Sequence, residues 1–538
     1  MRLKALHCFR YSLSASIIML SAANILSAAE TQADNENPGN GWYMVGFKTI
    51  EIYDFSRTVR AKYDYFGNPI DRETARPIQI CLWYPAIVPE DDLPMVVSEY
   101  NFPYPEDEQF VDFISEIQNR EIALLQGLVS APDSVFEILN NETGAYKDAP
   151  FADGDFPLII YSLDAGHGIT ENYGLLEFLA SRGYVVATVH SVGTFLRDPY
   201  SGPMDLETST RDLEFALSSL KEYPHIDNNK MGVMGCGFGA FAALLLRMRN
   251  YDIDAIACLF DDPYGNDRVE SLKSNPFYNP DRVNGPLLQI TSSADTEIFP
   301  ELTDSMVYST RYIISFKSDS GVCLSNYDKY RAVRNSPSGE LSQNNVDSYD
   351  ALCSYTASFF DASLKSDARA ETFWAADPAT NSTKPDILGL RYIPAKMAPP
   401  TEAQFMNIIN NQGIDTAVEL YSKFRPEYPD HIFFREAAFN FTGYGLLQTG
   451  RIQEALRVFE LNADAFPNSA NVWDSYGEAC LAAGDYGKAL ENYKKALETL
   501  PRDTTSSEGL KTAIQDGAPR QIQRIEELMS QTEEEENQ

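Results

Sequence analysis

Short, mostly apolar runs alternate with amphipathic stretches through the first two thirds of the chain. The runs at 156–162, 184–190, 231–235, 253–260, 287–291 and 312–316 are rich in Val, Ile and Leu. Runs of this kind predict strands covered on both faces. Between and after them, 171–182, 206–222, 238–249 and 348–364 place apolar residues at helical spacing. Two β-rich runs at 43–52 and 77–86 come first, and 110–128 predicts a helical excursion beside the sheet. The alternation predicts an α/β domain over 43–366, with a mostly parallel sheet between helix layers. The stretch 367–400 is rich in Ala, Asp, Thr and Pro, ends in Pro399-Pro400, and reads as a linker.

From 401 the period changes. Gly443 and Gly477, Gly450 and Gly484, Ala455 and Ala489, Phe459 and Tyr493, and Pro467 and Pro501 are each 34 residues apart. This is the helix–turn–helix period of tetratricopeptide repeats, in which small residues let paired helices approach and aromatics fill the gaps. Trp473, Tyr486 and Ala496 suit the second copy, and Ala417, Tyr421, Phe424 and Pro429 form an earlier, less regular one. The expectation for 401–530 is an all-α repeat domain closed by a capping helix over 508–530. The run Glu533–Glu536 lies in an acidic tail at 531–538.

The formal charge of −35 argues against nucleic acid as a partner and reads first as a solubility feature. Residues 1–29 have the layout of a signal peptide: Arg2, Lys4 and Arg10, then a short apolar run, then Ser27-Ala28-Ala29. That run is too short and too rich in Ser and Ala for a membrane span. Export to a periplasm or beyond is therefore expected, with no membrane span in the mature chain. Removing the segment takes away three basic residues and no acidic one, leaving −38. Of the remaining cysteines, Cys81, Cys236, Cys258, Cys323, Cys353 and Cys480, none has metal-ligand spacing, so no metal and no cofactor is expected. Cys323 and Cys353 are the pair open to a disulfide in an oxidising compartment, which their spacing alone does not establish.

The run Met231-Gly232-Val233-Met234-Gly235-Cys236-Gly237-Phe238-Gly239 reads as a strand, a sharp turn and a helix start. It has the frame of a nucleophile elbow, with Gly235 and Gly239 as the small flanking residues. With Trp83-Tyr84-Pro85-Ala86, Phe156-Pro157-Leu158-Ile159-Ile160-Tyr161-Ser162 and Ala180-Ser181-Arg182-Gly183-Tyr184, the first domain resembles α/β hydrolases of the platelet-activating-factor acetylhydrolase and dienelactone-hydrolase-like group. The resemblance implies esterase chemistry: a Ser nucleophile, a His base, an Asp that orients it, and backbone donors for the oxyanion.

The chemistry is missing where the resemblance puts it. The nucleophile position is Gly237. The position of the base falls in the loop 317–328, which has no His, and Cys323 stands nearest to it. The His-Gly pair expected after Ser162 reads Leu163-Asp164. The acid falls on Asp261, beside Asp262. Substitutes exist, each with an ordinary structural reading beside it. Cys236 adjoins the elbow, but a nucleophile there would put Met234 and Phe238 at the small positions, so a packing thiol fits better. His167 and His190 stand near strand ends, where loop and strand-end histidines are also common. Asp295 is either a substitute acid or a loop cap. His225 and His431 have no chemical context.

Two functions remain. One is an exported hydrolase homologue with a degenerate triad that binds a small ester, lipid or peptide ligand, or a protein partner through its repeats. The other is a hydrolase of ester or amide bonds with a rearranged site, using Cys236 or a water activated by His167 or His190. Loss of nucleophile and base together favours the first.

Overall fold

The computed structural model describes residues 43–58, 75–101, 108–129, 132–190, 192–194, 202–260, 265–292, 299–316, 322–375 and 388–536. The expected signal segment lies outside them. The chain divides into two compact units, Met1–Lys396 and Met397–Gln538.

The described part of unit 1 is built on one sheet. Its strands are β1 (Met44–Thr58), β2 (Ala75–Ala86), β3 (Ala145–Lys147), β4 (Phe156–Ser162), β5 (Val185–Val189), β6 (Ile226–Cys236), β7 (Ala255–Phe260), β8 (Leu287–Thr291), β9 (Arg311–Phe316) and β10 (Leu388–Ile393). Their order is β10-β9-β8-β7-β6-β4-β5-β2-β1-β3. β4 through β9 pair in parallel, and β2 is antiparallel to both β1 and β5. Every residue of β4, β5, β7 and β8 is buried, as their unbroken apolar runs require.

The helices that position the site are α1 (Glu108–Leu128), α2 (Tyr173–Ser181), α3 (Pro203–Leu220), α4 (Phe238–Arg249), α5 (Gly265–Lys273), α6 (Asn326–Asn335), α7 (Gln343–Leu364) and α8 (Ala368–Ala375). Period-two alternation along the strands sorts them into two layers. Leu158, Ile160, Val185, Ala187 and Val233 share one core with Leu213 and Leu217 of α3 and Phe241 and Leu245 of α4. Ile159, Tyr161, Val186 and Met234 share the other with Leu175 and Leu179 of α2 and Leu352 and Phe359 of α7.

The stretch 367–400, expected as a linker, contributes to unit 1. It contains α8 and β10, and β10 extends the sheet by pairing antiparallel with β9. Trp374 of α8 is buried against Tyr312 of β9, with ring centroids 4.7 Å apart. The Pro and Asp content of this stretch outweighed its few aromatic and aliphatic anchors in the sequence.

Unit 2 is helical. It contains α9 (Glu402–Gln412), α10 (Ile414–Phe424), α11 (Glu436–Gln448), α12 (Ile452–Ala465), α13 (Ala470–Ala482), α14 (Tyr486–Thr499) and α15 (Glu508–Glu536). Gly443 of α11 lies under the Phe459 ring of α12, and Gly477 of α13 under the Tyr493 ring of α14. The 34-residue repeat in sequence is thus a repeated helix-pair contact. Glu533–Glu536, expected in a frayed tail, continues α15. No described helix is long and apolar enough to cross a membrane.

A side chain at 443 would place its Cβ 2.6–2.8 Å from Phe459. Gly443→Val is therefore expected to destabilise unit 2 by about 2–3 kcal/mol, the cost of overpacking a filled core. At Gly445, two residues on, a Cβ would meet nothing within 4 Å. Gly445→Ala is expected to be neutral or slightly stabilising. Scanning calorimetry of the two variants checks this, and equal effects would contradict it.

Candidate functional site

The parallel strands end along one edge of the sheet, and the turn from β6 into α4 stands at that edge. Gly237 makes the turn with φ 51° and ψ −119°, a backbone conformation that a residue with a Cβ adopts only under strain. Its amide donates to the Leu259 carbonyl of β7 at 2.9 Å, which holds the turn against the neighbouring strand. Gly235 and Gly239 pack backbone on backbone: a Cβ at 239 would stand 2.1 Å from the Ser162 carbonyl. The strand, the abrupt turn and the close helix approach are those of a nucleophile elbow.

Unit 1 is an α/β domain: a mostly parallel ten-stranded sheet between helix layers, with the elbow-like turn at its edge. The turn centres on Gly237 and not on Cys236, as the small-residue frame required. Cys236 is buried among Tyr161, Met234 and their neighbours in the sheet core.

The space above Gly237 holds a carboxylate. Asp164, two residues past the end of β4, places its side chain where a nucleophile at 237 would stand. A Cβ on residue 237 would meet Asp164 Cγ at 2.4 Å and both carboxylate oxygens at 2.5–2.6 Å. Asp164 Oδ1 accepts the backbone N–H groups of Phe238 and Ala165, each at 2.7 Å. These are the residue after the elbow and a residue of the loop after β4, the positions whose backbone N–H groups form the oxyanion hole in α/β hydrolases. Their distances match those expected to a developing oxyanion. Arg268 of α5 adds a third donor to the same oxygen at 2.9 Å, and its guanidinium lies over the Phe238 ring at 5.6 Å. Three donors therefore converge on one oxygen of the Asp164 side chain above the turn.

Asp164 is tied in turn to a second network. Its amide donates to Glu171 Oε2 at 3.2 Å, as does the Tyr161 hydroxyl, also at 3.2 Å. Glu171 Oε1 faces His167 Nδ1 at 2.6 Å. Burial alone would lower the His167 pKa, but the Glu171 carboxylate outweighs it and raises the value to about 9. His167 is thus held as a cation, which is the wrong state for a general base at neutral pH.

His190, at the end of β5, bonds through Nε2 to Gln79 Oε1 at 2.9 Å, and burial lowers its pKa to about 4. His225 and His431 bond the carbonyls of Gly154 and Pro400. Among the described residues, no histidine ring bonds a serine, threonine or cysteine.

The remaining sequence candidates separate. Cys323, nearest to the position of the base, packs against the start of α7: its amide donates to the Ser348 hydroxyl at 3.0 Å and its sulfur faces Asn345 Nδ2 at 3.6 Å. Burial pushes its thiol up to about 12, so it is no nucleophile. Cys353 lies five residues further along α7, and the six described cysteines are free thiols, so the Cys323–Cys353 disulfide is not formed. Asp261, Asp262 and Asp295 lie outside the described residues. Sequence reasoning missed Arg268 and Glu171. Nothing local marks Arg268, whereas Glu171 stands four residues after His167, a spacing that could have suggested the pair.

The sequence matches no family model and no curated protein. Among solved structures, it is similar to a ferulic acid esterase from Streptomyces cinnamoneus. The two share 18% identity over 67% of this chain and 98% of that one, with a TM-score of 0.46.

Proposed function

We propose that this protein is an exported α/β-hydrolase homologue without esterase activity, which acts by binding and uses its helical repeats for a protein or peptide partner. The observation that carries the reading is the Asp164 carboxylate on the Phe238 and Ala165 amides, over a residue with no side chain. A hydrolase needs that position empty in the ground state, so that the donors stabilise only the transition state. Here three donors already stabilise a resident anion. The nucleophile is absent, one nearby imidazole is held protonated and the other is buried on Gln79.

The repeats support the binding half of the reading, because tetratricopeptide-type helix pairs present an extended surface suited to a peptide segment. The predicted signal peptide supports export. The purified mature chain is expected to turn over short-chain aryl esters no faster than buffer, with Cys236→Ala indistinguishable from the parent. Turnover abolished by Cys236→Ala, His167→Ala or His190→Ala would replace this reading with that of a hydrolase with a rearranged site.

A further inference from the structure

In unit 2, the first helices of the two regular repeats, α11 and α13, are joined by a row of polar contacts. Glu436 Oε1 accepts from Asn471 Nδ2 at 2.9 Å and from the Ser469 hydroxyl at 3.0 Å. Asn440 Nδ2 donates to Ser475 Oγ at 3.0 Å. The Tyr444 hydroxyl meets Ser475 Oγ at 3.1 Å and donates to Glu478 Oε2 at 2.6 Å. Glu436, Asn440 and Tyr444 follow one another at four-residue steps and share one face of α11, as Asp474 and Glu478 share one face of α13.

The groups that this face leaves unmet are acceptors. Asn440 spends its amide nitrogen on Ser475, and its Oδ1 is buried with no partner. Among the described residues, Asp474 has no hydrogen bond through its side chain, and no Lys or Arg pairs with Asp474 or Glu478. Burial, and then the Glu478 charge, raise the Asp474 pKa to about 7, with no basic group to offset them.

A second observation comes from α14. Tyr493 is 1% exposed, and its ring crosses Gly477, the residue before Glu478. Its hydroxyl has no hydrogen-bond partner. Burial first, then the charges of Glu478 and Asp474, raise its pKa, so the hydroxyl faces the carboxylate pair. A buried hydroxyl left unmade costs about 1–3 kcal/mol and calls for an explanation. A cation held by the two carboxylates would supply its oxygen with a donor.

We infer that the α11–α13 face binds a Lys- or Arg-bearing segment of a protein partner, with the cationic head between Asp474 and Glu478. Two ionised carboxylates and an amide oxygen only accept, and ammonium and guanidinium groups only donate. An acidic or phosphorylated segment would meet like charge here. Phe441, three residues before Tyr444, is 82% exposed and offers an apolar contact beside the cation, which suits a peptide better than a free polyamine. Stacked helix pairs present such a face to an extended segment. The inference rests on the binding half of the proposed function and is independent of whether the elbow is catalytic.

The test uses the full mature chain and capped nonapeptide pools, degenerate in uncharged residues, with Arg, Lys, Gln or Glu fixed at the centre. The Arg and Lys pools should be retained at least about tenfold more strongly than the Gln and Glu pools. The acidic chain attracts any cation, so two double variants of equal charge separate this face from the general surface. Asp474→Asn with Glu478→Gln should abolish the preference. Glu491→Gln with Glu498→Gln, at exposed positions of α14, should keep it. Glu478 is exposed, so Glu478→Gln folds even where the double variant does not, and it should weaken retention at least about threefold. Retention indifferent to Glu478→Gln, or reduced equally in the α14 control, overturns the inference. Spermidine binding as tightly as the Arg pool would give the face to a free polyamine instead. Preference for the Gln or Glu pool overturns the cationic partner and leaves the repeats as a peptide-binding domain. Retention of no pool overturns both, and the aryl ester assay reads the catalytic half of the proposed function separately.

Discussion

Gly237→Ser is expected to destabilise unit 1 by about 3–5 kcal/mol and to produce no esterase. Two costs add. A Cβ at φ 51° and ψ −119° strains the backbone by about 1–3 kcal/mol. The same Cβ stands 2.4–2.6 Å from the Asp164 carboxylate, which must leave its three donors. The new hydroxyl would find no base, since His167 is paired with Glu171 and His190 with Gln79. Thermal melts and an aryl ester assay read both outcomes. The clash also predicts coupling: in an Asp164→Gly background, Gly237→Ser should cost at least about 1 kcal/mol less than in the parent, because only backbone strain remains. Additive effects would show that Asp164 and Gly237 do not share the space.

Asp164→Gly alone is expected to cost about 2–4 kcal/mol, less than a fully buried pair because the Asp164 side chain is 19% exposed. It leaves the Arg268 guanidinium and the Phe238 and Ala165 amides facing an empty anion site. That vacancy should take up an external carboxylate. Acetate is therefore expected to raise the melting temperature of Asp164→Gly in a saturable way, beyond the effect of equal chloride, and to leave the parent unmoved. Stabilisation by a ligand follows from its binding to the folded state alone. An identical response of parent and variant would mean that the three donors do not form an anion site, and the proposed function would lose its main support.

Much of the fold was legible because it depends on local periodicity. The buried runs at 156–162 and 287–291 became β4 and β8 unchanged, and the small-residue frame placed the turn at Gly237 and not at Cys236. The 34-residue spacing anticipated the Gly443–Phe459 and Gly477–Tyr493 contacts. The edge of the sheet was not legible: β10 is half exposed and has little periodicity, so 367–400 read as a linker. In the site, the Leu163-Asp164 turn reads in sequence only as the loss of the expected His-Gly pair. The place of Asp164 over Gly237 is not legible in sequence, because its partners Phe238 and Arg268 lie 74 and 104 residues away.

The sequence by itself determined the layers, the helix pairs and the glycine at the centre of the turn, since each follows from residue type and spacing along one chain. The tertiary structure decided which side chain stands over Gly237 and which groups hold His167 and His190. Those outcomes depend on where loops from different strands end, and a carboxylate takes the position at which the most donors converge.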